Sequence, residues 1–300
     1  MKNSLLFRMV VLMAAMMCAL GASAKEAYAC YTSENKTLTF YYDNERSTRS
    51  DYTWLLQDEP GHLPLWSLLL LGATKAEFDR SFANYRPTTT HGWFYYMQNL
   101  QSITGMRYLN TSEVTDMAWM FSNCTELTSL DLNGLNTSKV TDMSRMFEGC
   151  TGLTSLNLNG FNTSKVTDMG NMFDGCTSLQ TIIVGERWNT AAVTYSKDMF
   201  HNTTNLVGGK GTAYDAGHVG GDYAHIDGGT DNPGYFSEKP VFIRGDVNGD
   251  GSVTIADVST LIDYLLSGEI APAAADCNQS GNVTIEDVSV LIDYLLSGAW

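Results

Sequence analysis

Apolar positions in the middle of the chain recur every 26 residues: VTDMAWMFSNCTELTSLDLNGLNTSK begins at Val114, VTDMSRMFEGCTGLTSLNLNGFNTSK at Val140 and VTDMGNMFDGCTSLQTIIVGERWNTAA at Val166. Degenerate copies flank these three, one in Trp93-Phe94, Leu100, Ile103 and Asn110-Thr111-Ser112, the other in Asp198-Met199-Phe200 and Leu206. The array therefore has about five units. Within one unit Met143, Met146, Phe147 and Cys150 fall at i, i+3, i+4 and i+7, the spacing of one face of a short helix, with Thr141 or Asp142 placed to cap it. Leu153 leads into the alternating Leu156 and Leu158, a short strand, after which Asn159-Gly160 and Asn162-Thr163-Ser164 turn the chain back. One such unit cannot bury its apolar face alone, whereas stacked units share a core and line up their strands in one parallel sheet. The pattern predicts a curved α/β solenoid over residues 93–207.

Outside the array the periodicity changes. Ala27–Thr32 and Thr37–Tyr42 alternate aromatic and Thr residues around Glu34-Asn35-Lys36 and predict a hairpin that opens an N-terminal β-containing cap, residues 25–92. The apolar runs Trp54-Leu55-Leu56 and Trp66–Leu71 in that cap are expected to seal the first repeat. Residues 208–239 are Gly-rich and polar with Tyr214, Tyr223 and Tyr235, an irregular C-terminal cap, and Pro240 opens a linker into a last domain, residues 240–300.

That last domain carries the strongest chemical signal. Asp246, Asn248, Asp250, Ser252, Thr254 and Asp257 stand at positions 1, 3, 5, 7, 9 and 12 of a twelve-residue loop with Gly251 at position 6. Ca2+ needs six or more hard oxygens about one centre, and this spacing wraps them round it while the glycine permits the sharp turn. Ser252 would offer its backbone carbonyl. Thirty residues on, Asp276, Asn278, Ser280, Asn282, Thr284 and Asp287 repeat the pattern with Gly281. Ser280 replaces an acid at position 5, so two Ca2+ sites are expected, the second weaker. Each loop runs into a helix, VSTLIDYLLSG or VSVLIDYLLSG, whose Val258, Leu261, Ile262, Leu265 and Leu266 make an apolar stripe for burial against the other copy. From Asp246 to Trp300 there are nine acidic residues and no Lys or Arg, a repulsion that bound Ca2+ relieves.

Two resemblances follow from these residues. The VTDMxxMFxGCTxLTSLxLxxFNTSK copies resemble the leucine-rich repeats of BspA-type bacterial surface proteins, from about Trp93 to the IDGGTDNPGYF segment that ends at Phe236. That resemblance implies export, surface display and binding to host proteins, other microbes or glycans. The duplicated loop-helix units resemble a dockerin, which implies calcium binding and insertion into a cohesin module of another protein. The dockerin partner-contact positions fall on Ile255, Ala256, Ile285 and Glu286, where the cellulosomal type has a Ser-Thr pair. The fold class expected for the whole is an α/β leucine-rich-repeat solenoid followed by a small all-α dockerin-like domain.

Charge and cysteine content narrow the function. With 18 basic and 33 acidic residues the net charge is −15, which repels a polyanion and excludes generic nucleic-acid binding. Lys2 and Arg8 precede an apolar run, Met9–Leu20, and Ala22-Ser23-Ala24 has the small-x-small pattern of a signal peptidase site, so residues 1–24 read as a signal peptide and the chain as extracellular or surface-bound. Cys124, Cys150 and Cys176 hold one repeat position and read as small buried hydrophobes whose parallel side chains do not face one another for a disulfide. The pairs Met117/Met120, Met143/Met146 and Met169/Met172 read as core, and the Asn-Thr-Ser triplets as a hydrogen-bonding ladder. The five histidines have no metal-ligand spacing, and no nucleophile-base-orienter set is recognisable. The chain reads as a non-catalytic adhesion protein, with Thr128, Ser129, Asp131, Thr154, Ser155 and Asn157 as exposed recognition positions and a calcium-dependent docking module behind them. The rival reading is a non-catalytic or hydrolytic component of an extracellular polysaccharide-degrading complex, which a convergent acid pair in a pocket near the N-terminal cap would favour and a filled solenoid interior would count against.

Overall fold

Alternating side chains and a polar turn put Glu26–Thr32 (β1) and Thr37–Asp43 (β2) into the expected hairpin, antiparallel from Glu26 against Asp43 to Thr32 against Thr37. The computed structural model to which they belong describes residues 24–49, 52–56, 59–69, 72–132, 134–238, 244–247, 253–267 and 271–300, so the expected signal peptide lies, but for Ala24, outside the described residues. After Glu238 the chain divides into two compact units.

In the first unit β1 also pairs antiparallel with Tyr52–Leu55 (β3), while β2 pairs parallel with Lys75–Phe78 (β4) and β4 with Ser102–Thr104 (β5). This gives a five-stranded mixed sheet in the order β3-β1-β2-β4-β5. Its inner face is aromatic: Phe40 stacks on Phe78 at 4.6 Å and on Trp93 at 5.3 Å. Of the apolar runs expected to seal the array, Trp66 is buried and donates its indole N–H to the Trp93 carbonyl, whereas Leu55 and Leu69 are exposed, as is Leu65 just before the second run. Leu65 and Leu69 bound a short helix, α1 (Leu65–Leu69).

The expected solenoid of α/β leucine-rich repeats is overturned. Among the described residues the chain is mainly sheet, with three α-helices, and none of them lies between residues 93 and 207. Among the described residues the strands formed there after β5 are Ser155–Leu158 (β6) and Thr181–Val184 (β7), which join Phe236–Glu238 (β8) in a three-stranded parallel sheet, β6-β7-β8. The segment read as a helix is a run of turns. Two residues per repeat adopt left-handed backbone, φ between 55° and 71°: Gly92 and Tyr96, Trp119 and Asn123, Arg145 and Gly149, Asn171 and Gly175, Asp198 and Asn202. A left-handed residue every few positions ends any right-handed helix, and the backbone N–H groups go elsewhere. Met117, Trp119, Phe121 and Asn123 donate to the carbonyls of Asp142, Ser144, Met146 and Glu148 in the following repeat, while Met120, Ser122 and Cys124 donate three residues back.

This geometry still buries i, i+3, i+4 and i+7, which is why the spacing imitates a helix. Met117, Met120, Phe121 and Cys124, with their equivalents in the next two repeats, are fully buried. Phe94, Phe121, Phe147, Phe173 and Phe200 form one column of near-parallel rings at 5.5, 5.7, 5.7 and 5.6 Å. Cys124, Cys150 and Cys176 are free thiols, each donating to the carbonyl of the Phe one repeat earlier at 3.2, 3.0 and 3.0 Å, and Thr203 makes the same bond to Phe173 at 2.6 Å. The Asn-Thr-Ser corners form the expected ladder: Thr111, Thr137 and Thr163 donate to the Asn136, Asn162 and Asn189 carbonyls and accept those residues' N–H groups.

A second column consists of carboxylates. Asp116, Asp142 and Asp168 are joined by successive parallel bridges, and each side chain accepts the N–H two residues on. Burial, and then the charges of Asp116 and Asp168, push the Asp142 carboxyl above its usual range. A raised folded-state value favours the protonated form, so Asp142 weakens the fold at neutral pH and stops doing so as pH falls below its folded value. Asp142→Asn keeps the acceptor oxygen and is expected to raise Tm at pH 7 by roughly 1–2 °C, with no gain at pH 3, by thermal denaturation at both pH values.

The second unit also departs from expectation. Its α-helices are Ile255–Ser267 (α2) and Ile285–Ser297 (α3), separated by a 3-10 turn at Ala273–Ala275. Among the described residues each loop runs into one helix, as the duplicated loop-helix pattern predicts, while Arg244-Gly245 is a turn and Ala273–Ala275 a single 3-10 turn. The expected small all-α domain is corrected by those turns: helix is confined to α2 and α3 among the described residues, and the rest of the unit is turn and loop. Val247, Val258, Leu261, Ala275, Cys277, Val288 and Leu291 make its core.

Candidate functional site

The fully described loop, residues 276–287, is held by its own oxygens. Gln279 and Gly281 take left-handed backbone, φ 57° and 86°, and fold the chain back over Asp276. Asp276 Oδ1 accepts the Ser280 N–H at 2.9 Å and Oδ2 the Gly281 N–H at 2.8 Å. Asn278 Oδ1 also accepts the Ser280 N–H, and Ser280 Oγ donates to the Asn282 carbonyl at 3.1 Å. Asp287 is fully buried: its Oδ1 accepts the Asn278 N–H at 3.0 Å and its Oδ2 the Thr284 N–H at 2.8 Å. Thr284 caps α3 in a reciprocal capping box with Asp287, so the loop's last ligand position is also the helix's first turn.

The first loop repeats the anchor. The Thr254 N–H donates to Asp257 Oδ2 at 2.8 Å, Asp257 is fully buried and Asp246 nearly so. Asn248, Asp250 and Ser252 lie outside the described residues. Among the described residues no three His, Cys, Asp or Glu side chains gather as a metal cluster; the second loop instead combines two carboxylates with the side-chain oxygens of Asn278, Ser280 and Thr284 and the Asn282 carbonyl. An all-oxygen set of that kind fits a hard cation such as Ca2+ and not a soft one.

At the second position of the 276–287 loop Cys277 is buried, and burial, then the Asp287 charge, push its thiol up to about 11, against the pull of Arg244. Arg244 donates to the Cys277 carbonyl and lies over the Trp300 ring at 4.3 Å, and Trp300 stacks on Tyr294 at 4.1 Å. Gly245 has φ 87°, and a Cβ there would meet Trp300 at 2.5 Å, so only glycine fits beneath that ring.

The predicted partner positions Ile255, Ala256, Ile285 and Glu286 are all exposed at the starts of α2 and α3. The apolar stripe is split: Val258 and Leu261 enter the core, whereas Ile262 and Leu266 face outward, as do Ile292 and Leu296 on α3. Leu266 and Leu296 are 81% and 82% exposed, an unusual position for leucine, and with Ile255 and Ile285 they give each helix an apolar outer face. Sequence spacing placed Ile262 and Leu266 on a stripe but assigned that stripe to the core; periodicity does not say which side is covered. In the first unit Thr128, Ser129, Asp131, Thr154, Ser155 and Asn157 are exposed, and Asn157 accepts the Asn159 N–H at 3.1 Å, which closes the turn after β6.

Comparison with known families separates the same two parts. Residues 244–296 match the family model for the dockerin type I domain, a calcium-binding module that docks into a protein partner. Residues 88–212 match the family described as Mycoplasma protein of unknown function, DUF285. No curated protein and no solved structure matches the chain.

Proposed function

We propose that the chain is an exported, non-catalytic binding protein, attached through its calcium-loaded C-terminal unit to a cohesin-like receptor and presenting its repeats to a host, microbial or glycan ligand. The observation that carries this reading is the pairing of two buried anchor carboxylates, Asp257 and Asp287, with two outward apolar helix faces ending in Leu266 and Leu296. The anchors fasten each loop to the helix that follows it, so cation binding at the loop orders the helix start that displays Ile255 or Ile285. Calcium, when bound, neutralises the carboxylates of both loops. Ser280, in place of an acid, leaves the second loop with the lower affinity.

The test is a pull-down with the full chain from culture and cell-surface proteins in calcium, in EGTA, and with the doubles Asp246→Ala/Asp276→Ala and Leu266→Asp/Leu296→Asp. A partner captured by the parent in calcium and lost in the other three arms is expected. Equal capture in calcium and in EGTA would refute calcium-dependent docking.

A further inference from the structure

Three residues break the left-handed rule of the repeats. Those positions are otherwise Gly, Asn or Asp, the residues that tolerate such backbone, but Tyr96 (φ 61°), Trp119 (φ 61°) and Arg145 (φ 57°) are bulky side chains held there against their preference. They are neighbours in space. The Arg145 guanidinium lies over the Trp119 ring at 4.8 Å, the Trp119 ring meets Tyr95 edge-on at 5.2 Å, and Tyr95 packs against Tyr96 at 5.4 Å. Core packing does not account for them, since Tyr96 is 43% exposed and Tyr95, Trp119 and Arg145 are all part-exposed. Backbone strain concentrated in one exposed cluster is the mark of a surface kept for binding rather than for stability.

We propose that Tyr95, Tyr96, Trp119 and Arg145 form a carbohydrate-binding platform on the turns of the first repeats, distinct from the strand positions Ser155 and Asn157. The proposal rests on the reading of the repeats as the ligand-binding part and names the surface and the ligand class. Aromatic faces carry negative potential and attract the C–H faces of a pyranose ring. Polar groups for its hydroxyls stand alongside: Arg145 pairs with Glu148 at 2.8 Å, and Glu148 also accepts from Ser122 Oγ at 3.4 Å. The planar guanidinium and carboxylate suit vicinal hydroxyls. The platform is preorganised, because the Tyr96 and Trp119 N–H groups are bonded to the Ser122 and Ser144 carbonyls at 2.8 and 3.0 Å, so little ordering accompanies binding. Three rings and one ion pair are far smaller than the ~800 Å² per partner of a stable protein interface. Nucleic-acid bases would also stack, but the net charge of −15 opposes them.

Affinity electrophoresis of the full chain in gels containing arabinoxylan, mixed-linkage β-glucan, galactomannan or mucin glycans tests this, with Tyr96→Asn, Trp119→Asn and Ser155→Ala/Asn157→Ala compared with the parent. Asn stands at the same backbone position in other repeats, at Asn123 and Asn171, so the first two variants are expected to melt at or above the parent's temperature. Expected is retardation of the parent by at least one polysaccharide, roughly tenfold weaker in each Asn variant and unchanged in the strand variant. The platform is overturned if no polysaccharide retards the parent, if the Asn variants are retarded as the parent is, or if they lose binding together with several degrees of melting temperature. Loss in the strand variant alone also overturns it while leaving the repeats a ligand surface, and calcium-dependent partner capture is scored separately in the pull-down.

Discussion

Chelation with EGTA is expected to melt the C-terminal unit while the repeat unit stays folded, and Asp287→Ala is expected to do the same with calcium present. Among the described residues the unit buries seven apolar residues in its core, a small core for a domain of this size. A ligand that binds only the folded state adds about 4 kcal/mol at a thousandfold excess over its Kd, comparable with the whole stability of such a domain. Asp287 also carries structure without metal. Its two oxygens take the Asn278 and Thr284 N–H groups, and alanine removes both bonds and the capping box, at about 0.5–2 kcal/mol for the cap alone. Calorimetry of the full chain should resolve two transitions, with EGTA and Asp287→Ala each lowering one of them and sparing the other. A transition that stays in place under both treatments would refute the metal-stapled reading.

Phe147→Ala should be the most damaging single change in the first unit. Phe147 is fully buried, with Phe121 and Phe173 5.7 Å away on either side at interplanar angles of 8° and 2°. Removing the middle ring opens a cavity that neighbours on both sides cannot close without breaking the backbone bonds that fix the repeat spacing, such as Phe147 N–H to the Met172 carbonyl at 3.0 Å. The expected cost is about 3–5 kcal/mol by urea denaturation. Adding Phe121→Ala should cost less than the sum of the two single changes, because the two cavities merge. A single-variant loss below about 1 kcal/mol would show that the column repacks.

Much of this column was legible in the sequence, because Met143, Met146, Phe147 and Cys150 recur at fixed spacing and repetition marks the side that neighbouring copies share. The backbone between them was not legible. Alternating turns through Arg145 and Gly149 bury the same i, i+3, i+4 and i+7 set as a helix, so apolar spacing alone cannot tell them apart. The discriminating signal was Gly, Asn or Asp at those positions in most copies. Trp119 and Arg145, at the position that Asn171 and Asp198 fill, concealed it. Short-range chemistry read more reliably: the Asn-Thr-Ser corners bond across repeats because Thr and Asn carry groups that reach only adjacent backbone. In the C-terminal unit Asp257 and Asp287 were identifiable by position, whereas the outward turn of Leu266 depends on what the helix packs against and has no local sequence signal.

The bond from each repeat cysteine to a phenylalanine carbonyl also bears on the reactivity of the thiols. All five cysteines among the described residues are buried thiols, and burial pushes Cys150 up to about 12 and Cys124 and Cys176 well above the ordinary thiol range. A shielded thiol held protonated neither attacks a disulfide nor meets an oxidant. The three repeat thiols of the folded chain are thus poor partners for disulfide exchange and for oxidants. Thr203, an oxygen in the same seat, shows that the position asks for a small hydrogen-bond donor and not for sulfur chemistry.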